Sequence, residues 1–263
     1  MRRALLVLVD GMRPDALQRA HTPIIDRLIA TGASTMAART VEPSITLPCI
    51  ASLFLSVSPQ VHGVTTNDWS ADRARPSLFD AVARSGHTAA SFYNWEQLRD
   101  LSRPGSLQAG VYLNNCYEPL GAGDTELSEA AVATLGDAPV DLAFVYLGHV
   151  DAAGHDHGWM SDAYLRGIEN ADACVGLLTD GLQSGHDEWL TVVTADHGGH
   201  GTGHGTASPD DMTVPIVLCG APAIAPRAQL PGGISIIDIA PTIAQWLGVP
   251  TPSEWQGQPI ELT

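Results

Sequence analysis

Residues 1–11 read MRRALLVLVDG, and the fold turns on what this run is. A basic pair followed by an apolar stretch has the outline of a secretory leader. The stretch is too short for one, and it ends at Asp10 with no small-residue cleavage site, so a first buried strand explains it better. Residues 4–9 are apolar without alternation, which suits a strand covered on both faces, as in a parallel sheet. Runs of the same kind recur at residues 87–93, 141–147, 190–194 and 214–218. Helix-like segments lie at about 23–30, 47–55, 77–85, 162–182 and 239–247. The alternation predicts an α/β fold with a mainly parallel central sheet and helices on both faces. Residues 1–263 are expected to form a single domain. The stretch at about 96–139 has weak periodicity and much Gly, Pro and Ser. It reads as connecting structure, a small insertion or minimal cap.

The 263 residues are 44% apolar, enough for a sizeable core. The net charge is −16, and the thirteen cationic residues are all Arg. This balance speaks against duplex nucleic acid and anionic membranes as partners. Cys49, Cys116, Cys174 and Cys219 stand more than 40 residues apart, with no C-x-x-C pair. Isolated buried thiols in a reducing compartment are expected, not a disulfide framework. No run of 18 apolar residues suggests a membrane helix. The expected location is cytoplasmic.

In open α/β sheets ligands bind beyond the carboxyl ends of the strands. The strand-like run ALLVLV ends at Asp10, LAFVYLGHV at Asp151, and LTVVTA at Asp196. An Asp after one strand is ordinary, but here histidines accompany two of the three. His155 follows Asp151 by four residues. His197 follows Asp196 directly, in TADHGGHGTGHGT (194–206), which also holds His200 and His204. Carboxylate oxygen with imidazole nitrogen suits Zn²⁺, with Mn²⁺ as an alternative. Three acids and at least three histidines exceed one tetrahedral site. Two divalent ions roughly 4 Å apart, clamping a phosphoryl group, fit better. The glycines of 198–205 allow the chain to fold His204 back toward the ions. His62, His149 and His157 are expected to be structural or to stand behind the ligands, not to bind an ion themselves.

The pair needs a nucleophile. Thr46 precedes an apolar helix-like run with Pro48 in its first turn. A hydroxyl there faces the positive end of a helix dipole and free backbone N–H groups. Ser44 and Thr40 are competitors, and a Thr at this point is also an ordinary N-cap.

The segments VLVDGMRPD, PSITLPC with HGVTTNDW, DAAGHDHG, TADHGGHGTGHG and MTVPIVLCG, in this order, resemble the alkaline phosphatase superfamily. Within it they are most similar to the type I phosphodiesterase/nucleotide pyrophosphatase branch. The resemblance implies a two-metal hydrolase of phosphate esters acting on a small-molecule substrate, with a nucleotide among the candidates. It implies that Asp10, Thr46, Asp196 and His197 hold one ion, and that Asp151, His155 and His204 hold the other. Thr46 would form a covalent phosphoryl intermediate. Asn67 would donate its amide to a phosphoryl oxygen beside the Leu47 N–H. Phosphomonoester or phosphonate hydrolysis at the same site is the alternative, and an inactive metal-binding homologue the non-enzymatic one. In that branch the last histidine lies far downstream; His204 lies only seven residues after His197, with His200 as rival. The region from Asn67 to residue 141 is too short for the large cap of cofactor-independent phosphoglycerate mutases. TLPCI lacks the arginine of the sulfatase signature, so sulfatase activity is not expected. Trp69 and Trp95 are candidates for an aromatic slot.

Overall fold

The computed structural model describes residues 1–69, 75–182, 187–220 and 224–261. Its centre is an eight-stranded sheet in the order β4-β3-β5-β1-β6-β7-β2-β8. The strands are β1 (Arg2–Val9), β2 (Ala33–Arg39), β3 (Ala89–Tyr93), β4 (Ala109–Tyr112), β5 (Leu142–Leu147), β6 (Glu188–Thr194), β7 (Thr213–Cys219) and β8 (Ala228–Gln229). The expected strands are all present. β1 lies between β5 and β6, parallel to both, with Val9 opposite Leu147 and Leu8 opposite Thr194. β7 runs antiparallel to its neighbours β6 and β2.

The helices are α1 (Pro14–Leu17), α2 (Pro23–Thr31), α3 (Thr46–Leu55), α4 (Pro59–His62), α5 (Leu78–Arg84), α6 (Ala122–Asp137), α7 (His149–His157), α8 (Asp162–Leu182), α9 (Pro209–Met212) and α10 (Ile239–Leu247). One group, α2, α6, α7 and α8, packs together; α3, α5 and α10 form a second. The layers give the expected α/β sandwich, with the uniformly apolar strands covered on both sides.

The core follows from the sequence pattern. Ala4–Val9 are wholly buried, as are Leu142–Val145. α3 is apolar all round, and every residue from Thr46 to Phe54 is buried. Phe54 meets Phe79 at 4.8 Å and Phe144, nearly edge-on, at 4.9 Å between ring centroids. Burying this helix drives its polar first residue, Thr46, into the molecule.

Two elements depart from the sequence reading. The stretch read as connecting structure contains α6, sixteen residues long, and the edge strand β4. The buried positions of α6 are Gly123, Asp124, Leu127, Ser128, Ala131 and Leu135, so polar and small side chains dilute the apolar stripe of Leu127, Ala131 and Leu135. β2, with the sequence ASTMAAR, is poor in the large β-branched residues that mark strands.

Candidate metal centre

β5, β1 and β6 are adjacent and parallel, so their carboxyl ends share one rim. Asp10 directly follows β1, Asp196 lies two residues beyond β6, and Asp151 lies beyond β5. Asp151 does not cap the following helix: it is the third residue of α7. That places it one helical turn from His155, on the same face. Gly11 makes the convergence possible. Its φ is +69°, and a Cβ there would sit 3.2 Å from the Cα, Cβ and Oδ1 of Asp151. Its N–H donates to Asp196 Oδ1 at 3.2 Å.

The imidazoles share one arrangement. Nδ1 of His197 lies 2.8 Å from the Gly198 carbonyl, Nδ1 of His155 lies 2.9 Å from that of Thr202, and Nδ1 of His204 lies 2.9 Å from that of Ser44. A carbonyl can only accept, so the hydrogen sits on Nδ1 and the Nε2 lone pair points inward. His204 Nε2 faces His155 Nε2 at 3.2 Å and Asp151 Oδ1 at 3.6 Å. His155 Nε2 is 3.4 Å from Asp151 Oδ2. His197 Nε2 lies 3.3 Å from Asp10 Oδ1, 3.4 Å from Asp196 Oδ2 and 3.1 Å from Thr46 Oγ1. Among the described residues, Asp10 Oδ1, Asp151 Oδ1 and Asp196 Oδ2 are buried and have no hydrogen-bond partner. Lone pairs facing lone pairs around orphaned carboxylate oxygens are repulsive unless a cation stands among them. Two residue groups have ligand atoms within 4.8 Å of one another: Asp10, Asp196 and His197, and Asp151, His197 and His204. The donor set fits divalent cations.

The electrostatics agree. Burial, with the charges of Asp196 and Asp151, holds the Asp10 carboxyl well above its usual range. Burial pushes Asp196 up to about 7. Burial would raise Asp151 too, but His155, His197 and His204 together outweigh it and lower it. With a proton in place of a cation on Nε2, the hydrogen bond to Asp151 lifts His155 to about 9, whereas burial keeps His197 and His204 low.

Thr46 is the first residue of α3. Ile45 occupies the N-cap and no side chain caps the helix, so the Thr46 hydroxyl is not spent on a cap. Ser44 donates instead to the Thr206 carbonyl at 2.8 Å. Asn67 Oδ1 accepts the Leu47 N–H at 3.0 Å. That corrects the expectation for Leu47, whose N–H is already engaged, and it leaves the Asn67 NH₂ as a donor. Both Asn67 and Thr46 line a cleft of about 130 Å³ with Asp10, Asp151, His155 and His204. Trp95 lines the same cleft, stacked on Tyr146 at 6.4 Å. Trp69 lines a different cavity and donates through Nε1 to the Gln97 carbonyl at 2.7 Å. His200 is paired with the buried Asp211 at 2.7 Å, away from the converging Nε2 atoms. His62 is structural, bonded to Ser52 at 2.8 Å.

Two residues went unseen in the sequence. The Tyr146 hydroxyl donates to Asp10 Oδ2, leaving Oδ1 free. Trp159 donates through Nε1 to the Gly11 carbonyl at 3.0 Å, and its ring edge-packs on His155 at 5.1 Å and His204 at 5.8 Å. Neither stands next to a ligand in any motif; only the fold brings them there. All four cysteines are free and buried. Among the described residues no helix is long and apolar enough to cross a membrane.

A family model described as type I phosphodiesterase / nucleotide pyrophosphatase matches residues 4–206. The 2,3-bisphosphoglycerate-independent phosphoglycerate mutase of Shewanella oneidensis is 24% identical over 264 residues, covering 89% of this chain and 50% of its own length. The chain spans 26% to 50% of the length of such mutases. An inactive variant of murine ectonucleotide pyrophosphatase/phosphodiesterase 5, in complex with AMP, superimposes with a TM-score of 0.76 at 15% identity, covering 99% of this chain and 98% of its own. The phosphonate monoester hydrolase of Silicibacter pomeroyi does so with 0.78 at 16% identity, covering 98% and 76%.

Proposed function

The chain belongs to the type I phosphodiesterase / nucleotide pyrophosphatase family, and on that premise we propose that it is a two-metal hydrolase of phosphodiesters or nucleotide pyrophosphates. The observation that carries the reading is the convergence of three Nε2 lone pairs on orphaned carboxylate oxygens beside an uncapped threonine hydroxyl. Asp10, Thr46, Asp196 and His197 hold one divalent ion; Asp151, His155 and His204 hold the other. Mixed carboxylate and imidazole donors favour zinc, with manganese as second choice. When bound, such a pair lowers the pKa of a coordinated hydroxyl and offsets negative charge on the transferring group.

Thr46 Oγ1 attacks phosphorus in line with the departing oxygen, giving a phosphothreonine that water then hydrolyses. Tyr146 holds Asp10 in one orientation. Asn67, fixed by the Leu47 N–H, turns its NH₂ to a non-bridging oxygen. Trp95 offers an apolar wall to the organic group. A diester is favoured over a monoester because, among the described residues, neither Arg nor Lys lines the cleft to meet a second substrate charge. Phosphomonoester or phosphonate hydrolysis uses the same residues as the second reading. The Thr46 hydroxyl, not engaged as a helix cap and set against His197 Nε2, argues against an inactive metal-binding homologue. One sheet drawn from residues 2 to 229, with β4 among its strands, supports a single domain of which residues 96–139 are part. The free, buried cysteines support a reducing, cytoplasmic setting.

The test compares bis-p-nitrophenyl phosphate, thymidine 5′-monophosphate p-nitrophenyl ester and p-nitrophenyl phosphate, with added Zn²⁺ or Mn²⁺. Preference for the thymidine ester supports a nucleotide diester. Preference for the monoester moves the assignment to the second reading, and inertness toward all three supports the non-enzymatic one.

A further inference from the structure

Asp151 and His155 are the third and seventh residues of α7, so a shift of that helix's start displaces both. The start has no cap of its own: Gly148 holds the N-cap position without a side chain. The free amides are met from another helix. Asp124, wholly buried in the first turn of α6, accepts the Gly148 N–H through Oδ1 at 3.1 Å and the His149 N–H through Oδ2 at 3.2 Å. A third donor, Asn94 Nδ2 just after β3, reaches Oδ1 at 2.7 Å. All three partners donate, so only a carboxylate satisfies them; a carboxamide would turn its own NH₂ toward one. The negative charge also faces the positive end of α7. The junction has no slack. A Cβ on Gly148 would lie 3.0 Å from Asn94 Oδ1 and from the Tyr146 ring, and 3.1 Å from Cys116.

We propose that Asp124 is a positioning residue for the metal centre: by capping α7 from α6 it fixes Asp151 and His155, and so sets the affinity of the ion they hold. The inference rests on the two-metal reading above. It assigns a functional part to α6, a helix whose buried face mixes polar Asp124 and Ser128 with Leu127 and Leu135.

Zinc affinity is measured on the full chain by competition with a chromophoric chelator, for wild type, Asp124→Asn, His155→Ala and the double variant. Ser77→Ala, which removes the capping box of α5, is the control for a lost cap that holds no ligand. Asp124→Asn is expected to weaken one ion about tenfold, the low end for partners behind metal ligands, and to leave the other within about twofold. In the His155→Ala background it should add nothing to the ion that remains. Ser77→Ala should lower Tm and leave both affinities. Wild-type affinity for both ions in Asp124→Asn, or an equal loss of both, overturns the inference. Should Asp124→Asn not fold, Asn94→Ala keeps the carboxylate and both amides. It is expected to weaken the same ion by about threefold, and unchanged affinity overturns the inference there. A wild-type chain that binds no zinc refutes the two-metal reading as well. Two ions in wild type beside an unaltered Asp124→Asn refute only the role of Asp124.

Discussion

Gly199 and Gly203 sit four residues apart in the loop that delivers His204, and Gly→Ala at the two positions should have opposite outcomes. A Cβ on Gly199 would lie 2.2 Å from Trp159 Cε2 and 2.6 Å from Cδ2 and Cζ2. The indole cannot step back. A Cβ on Gly154 would already lie 2.8 Å from the same ring, so α7 has no room to receive it. Nε1 is tied to the Gly11 carbonyl, and the Trp159 N–H to the Gly201 carbonyl at 2.8 Å. Gly199→Ala therefore either opens the loop or tears the indole from Gly11. Overpacking costs about 1–3 kcal/mol and a lost buried hydrogen bond about 1 kcal/mol. For a chain of this length, that lowers Tm by roughly 5 °C or more. Because Trp159 edge-packs on His155 and His204, a shift near 1 Å should also cut turnover on the order of 100-fold. A Cβ on Gly203 meets nothing within 4 Å, and Gly203→Ala should match wild type in both measurements. Thermal unfolding and diester hydrolysis at saturating zinc read the outcome. Equal, small effects at the two glycines would refute the view that Trp159 clamps this loop.

Thr46→Ala should reduce turnover by at least about 10³-fold while two ions per chain remain; substantial residual turnover would mean that water, not the threonine, attacks. His204→Ala should lose one ion, whereas His200→Ala should keep both and cost about 1–3 kcal/mol, because the buried Asp211 loses one partner but keeps its Thr206 donors; metal analysis separates the two, and the reverse pattern would exchange their roles. Zinc competes with the proton on Asp196, which burial holds up to about 7. Apparent affinity should therefore fall as pH drops below about 9, where His155 also carries a proton, and more steeply below about 7, by up to about tenfold per unit for each proton displaced. Calorimetry in buffers of differing ionisation enthalpy should show proton release that is greater at pH 6 than at pH 8, and affinity that stays level between them would contradict the assignment.

Much of this site is legible without coordinates because its ligands hang on strands whose apolar runs stop abruptly. Asp10, Asp151 and Asp196 could be placed on one rim as soon as β1, β5 and β6 were taken as parallel. The choice between His200 and His204 was not legible. It depends on Asp211, which holds the His200 imidazole, and on the Ser44 carbonyl, which turns His204 inward; both contacts join segments far apart in the chain. The role of α6 stayed hidden for a different reason. A helix that buries Asp124 and Ser128 beside Leu127, Ala131 and Leu135 shows only a diluted apolar stripe, since Asp124 answers the polar start of α7 instead of filling space. Tyr146 reads in sequence as one more large strand residue, and only its position opposite Asp10 makes its hydroxyl matter.

The central claim, that this rim holds two cations, is tested most directly by anomalous diffraction at the zinc edge from crystals of protein purified without chelator. Two peaks are predicted, one among Asp10, Thr46, Asp196 and His197, the other among Asp151, His155 and His204. A featureless map at the rim, or a lone peak beside His200 and Asp211, would contradict the account.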